Sequence, residues 1–248
     1  KGVMRYGPSG VAVWSVPTID IKRQLLYVTT ANQLTEPRVE ESDAVVALDL
    51  NTGKKQWVKS LVPAAYQQGD IWNSGCESEM MFNESESHCP PVNVKHEGDR
   101  EIGAPAVLKT LANGEDALLV GTKDGYLYAL NPDSEGELLW QLRLGTLDPG
   151  RGPIFGGIEH GIAVDDKYAY VPIADISFVQ QTSKGSMARV ELETGKLVWQ
   201  KKAASDTCKD KPFGCNNGYM GAPTVVGNIL FAGSADGNLR AFDASNGK

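Results

Sequence analysis

The sequence predicts an all-β chain built as a β-propeller of four-stranded blades, on three observations. A short phrase recurs four times. It runs Val46-Ala47-Leu48-Asp49-Leu50-Asn51-Thr52-Gly53-Lys54-Lys55-Gln56-Trp57, then Tyr128-Ala129-Leu130-Asn131 through Gly136 to Trp140, then Arg189-Val190-Glu191 through Gly195 to Trp199. The last copy is Arg240-Ala241-Phe242-Asp243-Ala244-Ser245-Asn246-Gly247-Lys248. Its turn glycines, Gly53, Gly136, Gly195 and Gly247, lie 83, 59 and 52 residues apart, against roughly 40–50 for one blade. No stretch sustains the apolar period of a helix over helical length.

Each copy reads as a strand, a tight Gly-bearing turn and a second strand carrying Trp. Ahead of each lies a matching pair of strands. Ser15-Val16-Pro17-Thr18-Ile19-Asp20 leads to Leu25-Leu26-Tyr27-Val28-Thr29-Thr30, and Gly103-Ala104-Pro105-Ala106-Val107-Leu108 leads to Ala117-Leu118-Leu119-Val120-Gly121. His160-Gly161-Ile162-Ala163-Val164 leads to Tyr168-Ala169-Tyr170-Val171-Pro172. Gly221-Ala222-Pro223-Thr224-Val225-Val226 leads to Ile229-Leu230-Phe231-Ala232-Gly233. These are short apolar or alternating runs bounded by Gly, Pro, Asn and Asp, the mark of strands joined by turns. The expected blade units are 14–61, 103–145, 159–203 and 221–248. The wide first gap is taken up by a polar, poorly periodic insertion over 63–101. Trp57, Trp140 and Trp199 are expected to clamp each blade to the next, each indole covering apolar area and giving its N–H to a backbone carbonyl. About four blades in a chain that starts and stops inside a repeat are expected to be part of a larger ring, with apolar blade faces and a sheet edge exposed.

A net charge of −7 with no basic run longer than Lys201-Lys202 argues against nucleic acid or an anionic membrane surface as partner. No segment approaches the roughly 20 apolar residues of a membrane-spanning helix. The four cysteines form two local pairs, Cys76 with Cys89 and Cys208 with Cys215, in polar loops where a disulfide staples chain that lacks its own core. Zinc is the weaker reading, because neither CxxC nor CxxCH occurs and only His88 and His96 lie nearby. Disulfides favour export to an oxidising compartment.

Polar residues interrupt the repeat at three places. Asn32 follows the strand ending at Thr30, Lys123 follows the strand ending at Gly121 at what reads as the matching point of the next blade, and Asp70 and Asn73 stand at the mouth of the insertion. An amide oxygen, a cation and a carboxylate converging on one axial mouth suit an anionic, metal-bound cofactor; the alternative is that Lys123 and Asn32 are turn residues, in Lys-Asp-Gly and Ala-Asn-Gln.

Trp14-Ser15-Val16-Pro17-Thr18-Ile19-Asp20, Tyr27-Val28-Thr29-Thr30-Ala31-Asn32 and Ser42-Asp43-Ala44-Val45-Val46-Ala47-Leu48-Asp49 resemble the quinoprotein alcohol dehydrogenases, closest to the polyvinyl-alcohol-dehydrogenase-like branch. Gly121-Thr122-Lys123-Asp124-Gly125-Tyr126-Leu127-Tyr128-Ala129-Leu130, Gly156-Gly157-Ile158-Glu159-His160-Gly161 and Phe231-Ala232-Gly233-Ser234-Ala235-Asp236-Gly237 extend the resemblance over nearly the whole chain except the insertion. It implies an eight-bladed propeller holding pyrroloquinoline quinone (PQQ) and Ca2+ on its axis, oxidation of an alcohol, a cytochrome c-type electron acceptor and a periplasmic location. It implies that Trp14 stacks on the quinone, Asn32 ligates calcium and Lys123 hydrogen-bonds the quinone carbonyls, positive charge there favouring a reduced, more anionic ring. At the motif matched by Trp72 the family's catalytic aspartate is replaced by Asn73, which cannot take a proton; Asp70, three residues earlier, is then the expected general base. His160 reads as a packed blade residue. The same blade phrase also occurs in non-catalytic interaction scaffolds of the outer-membrane assembly type, and the fold does not choose between the two.

Overall fold

The computed structural model describes residues 10–33, 39–61, 100–145, 156–177, 182–183, 185–204, 208 and 215–248. The first sheet is β1 (Thr18–Asp20), β2 (Leu25–Thr29), β3 (Ala44–Asp49) and β4 (Lys55–Ser60), hydrogen-bonded in that order. The second is β5 (Val107–Thr110), β6 (Asp116–Gly121), β7 (Tyr126–Asn131) and β8 (Glu137–Arg143). In the third, β9 (Ala163–Val164), β10 (Tyr168–Ile173), β13 (Ser186–Glu191) and β14 (Leu197–Lys202) pair in order, with a ribbon of β11 (Ile176–Ser177) and β12 (Thr182–Ser183) inserted after β10. The fourth is β15 (Thr224–Val226), β16 (Ile229–Gly233) and β17 (Leu239–Asp243). Every pairing is antiparallel. The all-β propeller expectation is borne out.

Three apolar cores lie between successive sheets, and strand periodicity explains how one sheet feeds two of them. Leu118 and Val120 of β6 pack with Tyr27, Val45 and Trp57 of the first sheet, whereas Leu119 packs with Val171 and Ala188 of the third. Alternate residues point to opposite faces of a strand, so a sheet buried on both sides needs an unbroken apolar run. The run Ala117-Leu118-Leu119-Val120, buried throughout, meets that need. Burying such a Leu or Val contributes about 1.5–3 kcal/mol.

The repeated phrase has one geometry in three sheets. The register slips by one residue at Ala47/Leu48, Ala129/Leu130 and Arg189/Val190, a bulge just beyond the residue opposite the Trp (Ala47↔Trp57, Ala129↔Trp140, Arg189↔Trp199). Each indole then reaches the Gly turn of the following sheet. Trp140 Nε1 donates to Leu192 O at 2.9 Å and Trp199 Nε1 to Ala244 O at 3.1 Å. The glycine at each receiving turn has positive φ and no room for a side chain: a Cβ would meet Trp57 at 3.0 Å from Gly136, Trp140 at 2.6 Å from Gly195 and Trp199 at 2.9 Å from Gly247. The packing expected for the three tryptophans holds, and the N–H bond to a backbone carbonyl is made by Trp140 and Trp199. Apolar residues also stand exposed on the first sheet (Val16, Ile19, Ile21) and on the last (Val226, Ile229, Leu239).

Candidate functional site at one end of the sheets

Antiparallel order puts four kinds of chain end on one side: second strands end there, third strands begin, fourth strands end and the next sheet's first strand begins. The Gly turns of the repeated phrase all face the other end. First strands are innermost, β1 against β5 and β9 against β15, with Thr18 Oγ1 donating to Ala106 O at 2.5 Å. The end opposite the Gly turns is therefore the mouth where side chains of several sheets converge.

Backbone hydrogen bonds build this mouth by a stitch used in every sheet. The residue just past the second strand donates to the segment leading into its own sheet: Ala31 N to Ala12 O (2.9 Å), Lys123 N to Glu101 O (3.2 Å), Ala174 N to Gly157 O (2.8 Å) and Ala235 N to Gly218 O (3.0 Å). The next residue of that segment donates back to the preceding sheet: Ile102 N to Thr30 O (3.3 Å), Ile158 N to Thr122 O (3.0 Å) and Tyr219 N to Ile173 O (3.3 Å). Each acceptor, Ala12, Glu101, Gly157 and Gly218, stands six residues before its first strand. The stitch satisfies loop backbone that would otherwise be buried unpaired. Glycine permits the closest approaches: a Cβ on Gly157 would lie 2.3 Å from Gly125 N.

This register corrects one expectation. Lys123 and Asn32 do not occupy matching points: Lys123 corresponds to Ala31, Ala174 and Ala235, while Asn32 corresponds to Asp124, Asp175 and Asp236. Two of the aspartates tie down their own turns, Asp124 Oδ1 accepting from Thr122 Oγ1 at 2.5 Å and Asp236 Oδ1 from Asn238 N at 3.1 Å, while Asp175 Oδ1 accepts from Gly157 N of the lead-in segment at 3.3 Å. Asn32 is 4% exposed, and its Nδ2 has no hydrogen-bond partner among the described residues. A buried amide left so costs about 1–3 kcal/mol, which the repeat does not require.

Lys123 is buried and ion-paired, Nζ to Glu101 Oε1 at 2.7 Å, with both side chains 7% exposed. Glu101 escaped the sequence reading because it ends the polar insertion, where no period marks it; its offset from β5, matched in the other sheets, is the signal that finds it. Arg100, Asp43, Asp124, Glu159 and Asp175 are buried at the same end. Burial pushes the Asp124 carboxyl up, against the Thr122 hydrogen bond and the charges of Arg100 and Arg143. Trp14 is 60% exposed, two residues past the Ala12 stitch and beside Ser15, whose Oγ meets Thr29 Oγ1 at 2.5 Å. It is not a packed clamp, and its indole face is open. His160, read as packed, is exposed; its neighbour Glu159 is buried. Asp70, Asn73 and the Cys76–Cys89 pair lie outside the described residues. Cys208 and Cys215 are disulfide-bonded, Cα to Cα 5.6 Å.

The residues present fit a flat, anionic, cation-bound cofactor. An open indole offers a face for stacking, a buried amide supplies an oxygen suited to a hard cation, and a buried ammonium can reach a carbonyl or carboxylate. Among the described residues no group of three His, Cys, Asp or Glu is arranged to hold a metal by itself.

The fold defines a β-propeller segment whose sheets converge at one mouth. The chain belongs to the PQQ_2 family, described as outer membrane protein assembly factor BamB, whose model matches residues 112–248. A polyvinylalcohol dehydrogenase of Sphingopyxis sp. (strain 113P3) is 35% identical over 250 residues, covering 100% of this chain and 36% of that protein. The chain thus spans about a third of the length of that curated relative. Among solved structures, a europium-containing methanol dehydrogenase superposes with a TM-score of 0.61 at 16% identity, over 96% of this chain and 46% of that one. The quinohemoprotein alcohol dehydrogenase of Comamonas testosteroni gives 0.58 at 19% identity, over 96% and 40%. At these identities the superpositions speak to fold alone. The resemblance read from the sequence is borne out by the curated relative and the family match.

Proposed function

We propose that this chain forms part of a PQQ-dependent alcohol dehydrogenase that oxidises a secondary or polymeric alcohol and passes electrons to a cytochrome c-type acceptor in the periplasm. The observation that carries the reading is Asn32: a buried amide whose unpartnered Nδ2 leaves a donor for an acceptor atom of a bound group, at the position where the other three sheets place an aspartate. When bound, PQQ supplies the chemistry by accepting a hydride equivalent from the alcohol carbon. The chain's own residues bind and orient. Asn32 offers its oxygen to Ca2+, the Trp14 indole provides the stacking face, and the Lys123 ammonium hydrogen-bonds quinone oxygen and favours negative charge there. Asp70 is the proposed base, its carboxylate taking the alcohol's O–H proton. The test is reconstitution of the complete protein with PQQ and Ca2+, followed by dye reduction with primary, secondary and polymeric alcohols. Saturable PQQ binding and alcohol-dependent reduction support the reading; absence of PQQ binding sinks it.

The family match favours one second reading. A propeller of this kind that binds no cofactor would serve as a protein-interaction scaffold, and the same titration separates the two.

A further inference from the structure

The geometry points to Glu101 as the positioning residue for Lys123, a role that rests on the cofactor reading above. Glu101 holds Lys123 at two atoms: its carbonyl oxygen accepts the Lys123 backbone N–H at 3.2 Å, and its carboxylate takes the ammonium at 2.7 Å. The comparison that gives this contact meaning is internal to the chain. The same stitch is made by Ala12 with Ala31, by Gly157 with Ala174 and by Gly218 with Ala235. Three sheets therefore close this joint with small uncharged residues at both positions, at equal or shorter distance. Only the second sheet replaces both, and it does so with opposite charges.

Nothing in the joint calls for that replacement. A buried ion pair loses hydration on both partners and is often no more stabilising than an apolar pair of similar shape. A lone buried lysine would be worse, because desolvation disfavours its charged form. The carboxylate gives the buried ammonium a counter-charge at 2.7 Å and restricts a four-carbon side chain with several rotatable bonds to one direction. A bound group then meets a cation already in place and does not bear the whole cost of ordering it.

The sign of one measurement decides the matter. PQQ is anionic, so a carboxylate that merely lay nearby would repel it, and Glu101→Gln would tighten binding. Positioning requires the opposite: Glu101→Gln raises the PQQ Kd of the Ca2+-loaded complete protein about tenfold, the scale of one charged hydrogen bond. Glu101→Asp, which keeps the charge, recovers part of the loss. The absorption band of bound PQQ should shift in Glu101→Gln, as Lys123 no longer meets the quinone in one arrangement. The double variant Glu101→Gly with Lys123→Ala, which copies the joint of the third and fourth sheets, should melt within a few degrees of the wild type. That outcome shows that the pair is not there for folding. Unchanged or tighter PQQ binding in Glu101→Gln, with Lys123→Ala still impaired, overturns the positioning role and leaves the cofactor reading intact. A wild-type protein that binds no PQQ removes both. A collapse in melting temperature of the double variant overturns the inference in favour of a structural pair.

Discussion

Gly195 and the indole of Trp140 are in contact so close that a Cβ on the glycine would sit 2.6 Å from Cε3 of the ring. The same glycine has φ +69°, and Trp140 donates to Leu192 O three residues earlier. The turn glycine thus serves two needs, a left-handed backbone and a seat for the neighbouring sheet's indole.

Gly53 has the same φ but nothing within 4 Å of its would-be Cβ, so the pair separates the two needs. Gly53→Ala should cost about 1 kcal/mol, for left-handed backbone alone. Gly195→Ala should cost about 2–4 kcal/mol, because overpacking against the indole is added. Urea titration of the two variants checks the order; equal losses would show that the indole seat contributes nothing.

At the opposite end from the mouth, Arg23 joins the first two sheets. Its guanidinium meets Asp20 and Asp116 at 2.8 Å and Asp133 at 2.5 Å, and its side chain is 9% exposed. Arg23→Ala should destabilise by about 2–4 kcal/mol. Removing one partner of a buried pair leaves the others uncompensated, and the figure is discounted because Asp133 is largely exposed.

The same cluster sets an acid limit. Hydrogen bonds from Lys22 and Thr110, reinforced by Arg23, hold the Asp116 carboxyl well below the usual carboxylate range. Burial works to raise Asp20, but hydrogen bonds from Arg23 and Tyr27 outweigh it and leave it lowered. A carboxyl whose folded pKa lies below its unfolded value stabilises above the unfolded value, about 4, and loses that stabilisation as the pH falls through the folded one. Stability of the wild type should therefore drop between about pH 4 and pH 2. Arg23→Ala should flatten that slope in melts across the same range.

Asn32→Ala deletes no hydrogen bond made by Nδ2 among the described residues and removes the unpaired donor itself, so the apo protein should lose no stability from that group. Calcium-supported PQQ binding should be lost. Asn32→Asp, which puts a carboxylate where the other three sheets have one, should keep calcium, since carboxylate oxygen suits the same cation. Isothermal titration with Ca2+ and PQQ reads both; full PQQ affinity in Asn32→Ala would remove this residue from the site.

The Cys208–Cys215 disulfide closes a short loop ahead of the fourth sheet. Replacing both cysteines with serine should cost about 2 kcal/mol, the chain-entropy scale of a loop of that length. Ca2+ and PQQ affinity should not move. A thermal melt with and without reductant measures the first, and the titration above the second.

Much of this architecture is legible in the residues alone. The four turn glycines and three tryptophans mark successive sheets because a left-handed turn and an indole seat constrain residue type locally, at fixed spacing. The unbroken apolar run of β6 reads as a strand buried on both faces for the same reason. Candidate site residues were legible only as interruptions of the repeat. Asn32 and Lys123 stood out, but their one-residue offset did not, since it depends on which backbone N–H meets which lead-in segment.

By itself, then, the sequence determined the strands, the turns and the clamp, all set by contacts within one repeat or between adjacent repeats of constant spacing. Tertiary structure alone decided the partner of Lys123, the burial of Asn32 and the exposure of Trp14 and His160. Those properties arise where segments 22 residues apart in one place (Glu101 and Lys123) and 75 in another (Thr29 and Ala104) are brought to one mouth. No local period records such a meeting, because the insertion between the first two sheets breaks the count and the pairing follows from how the sheets stack.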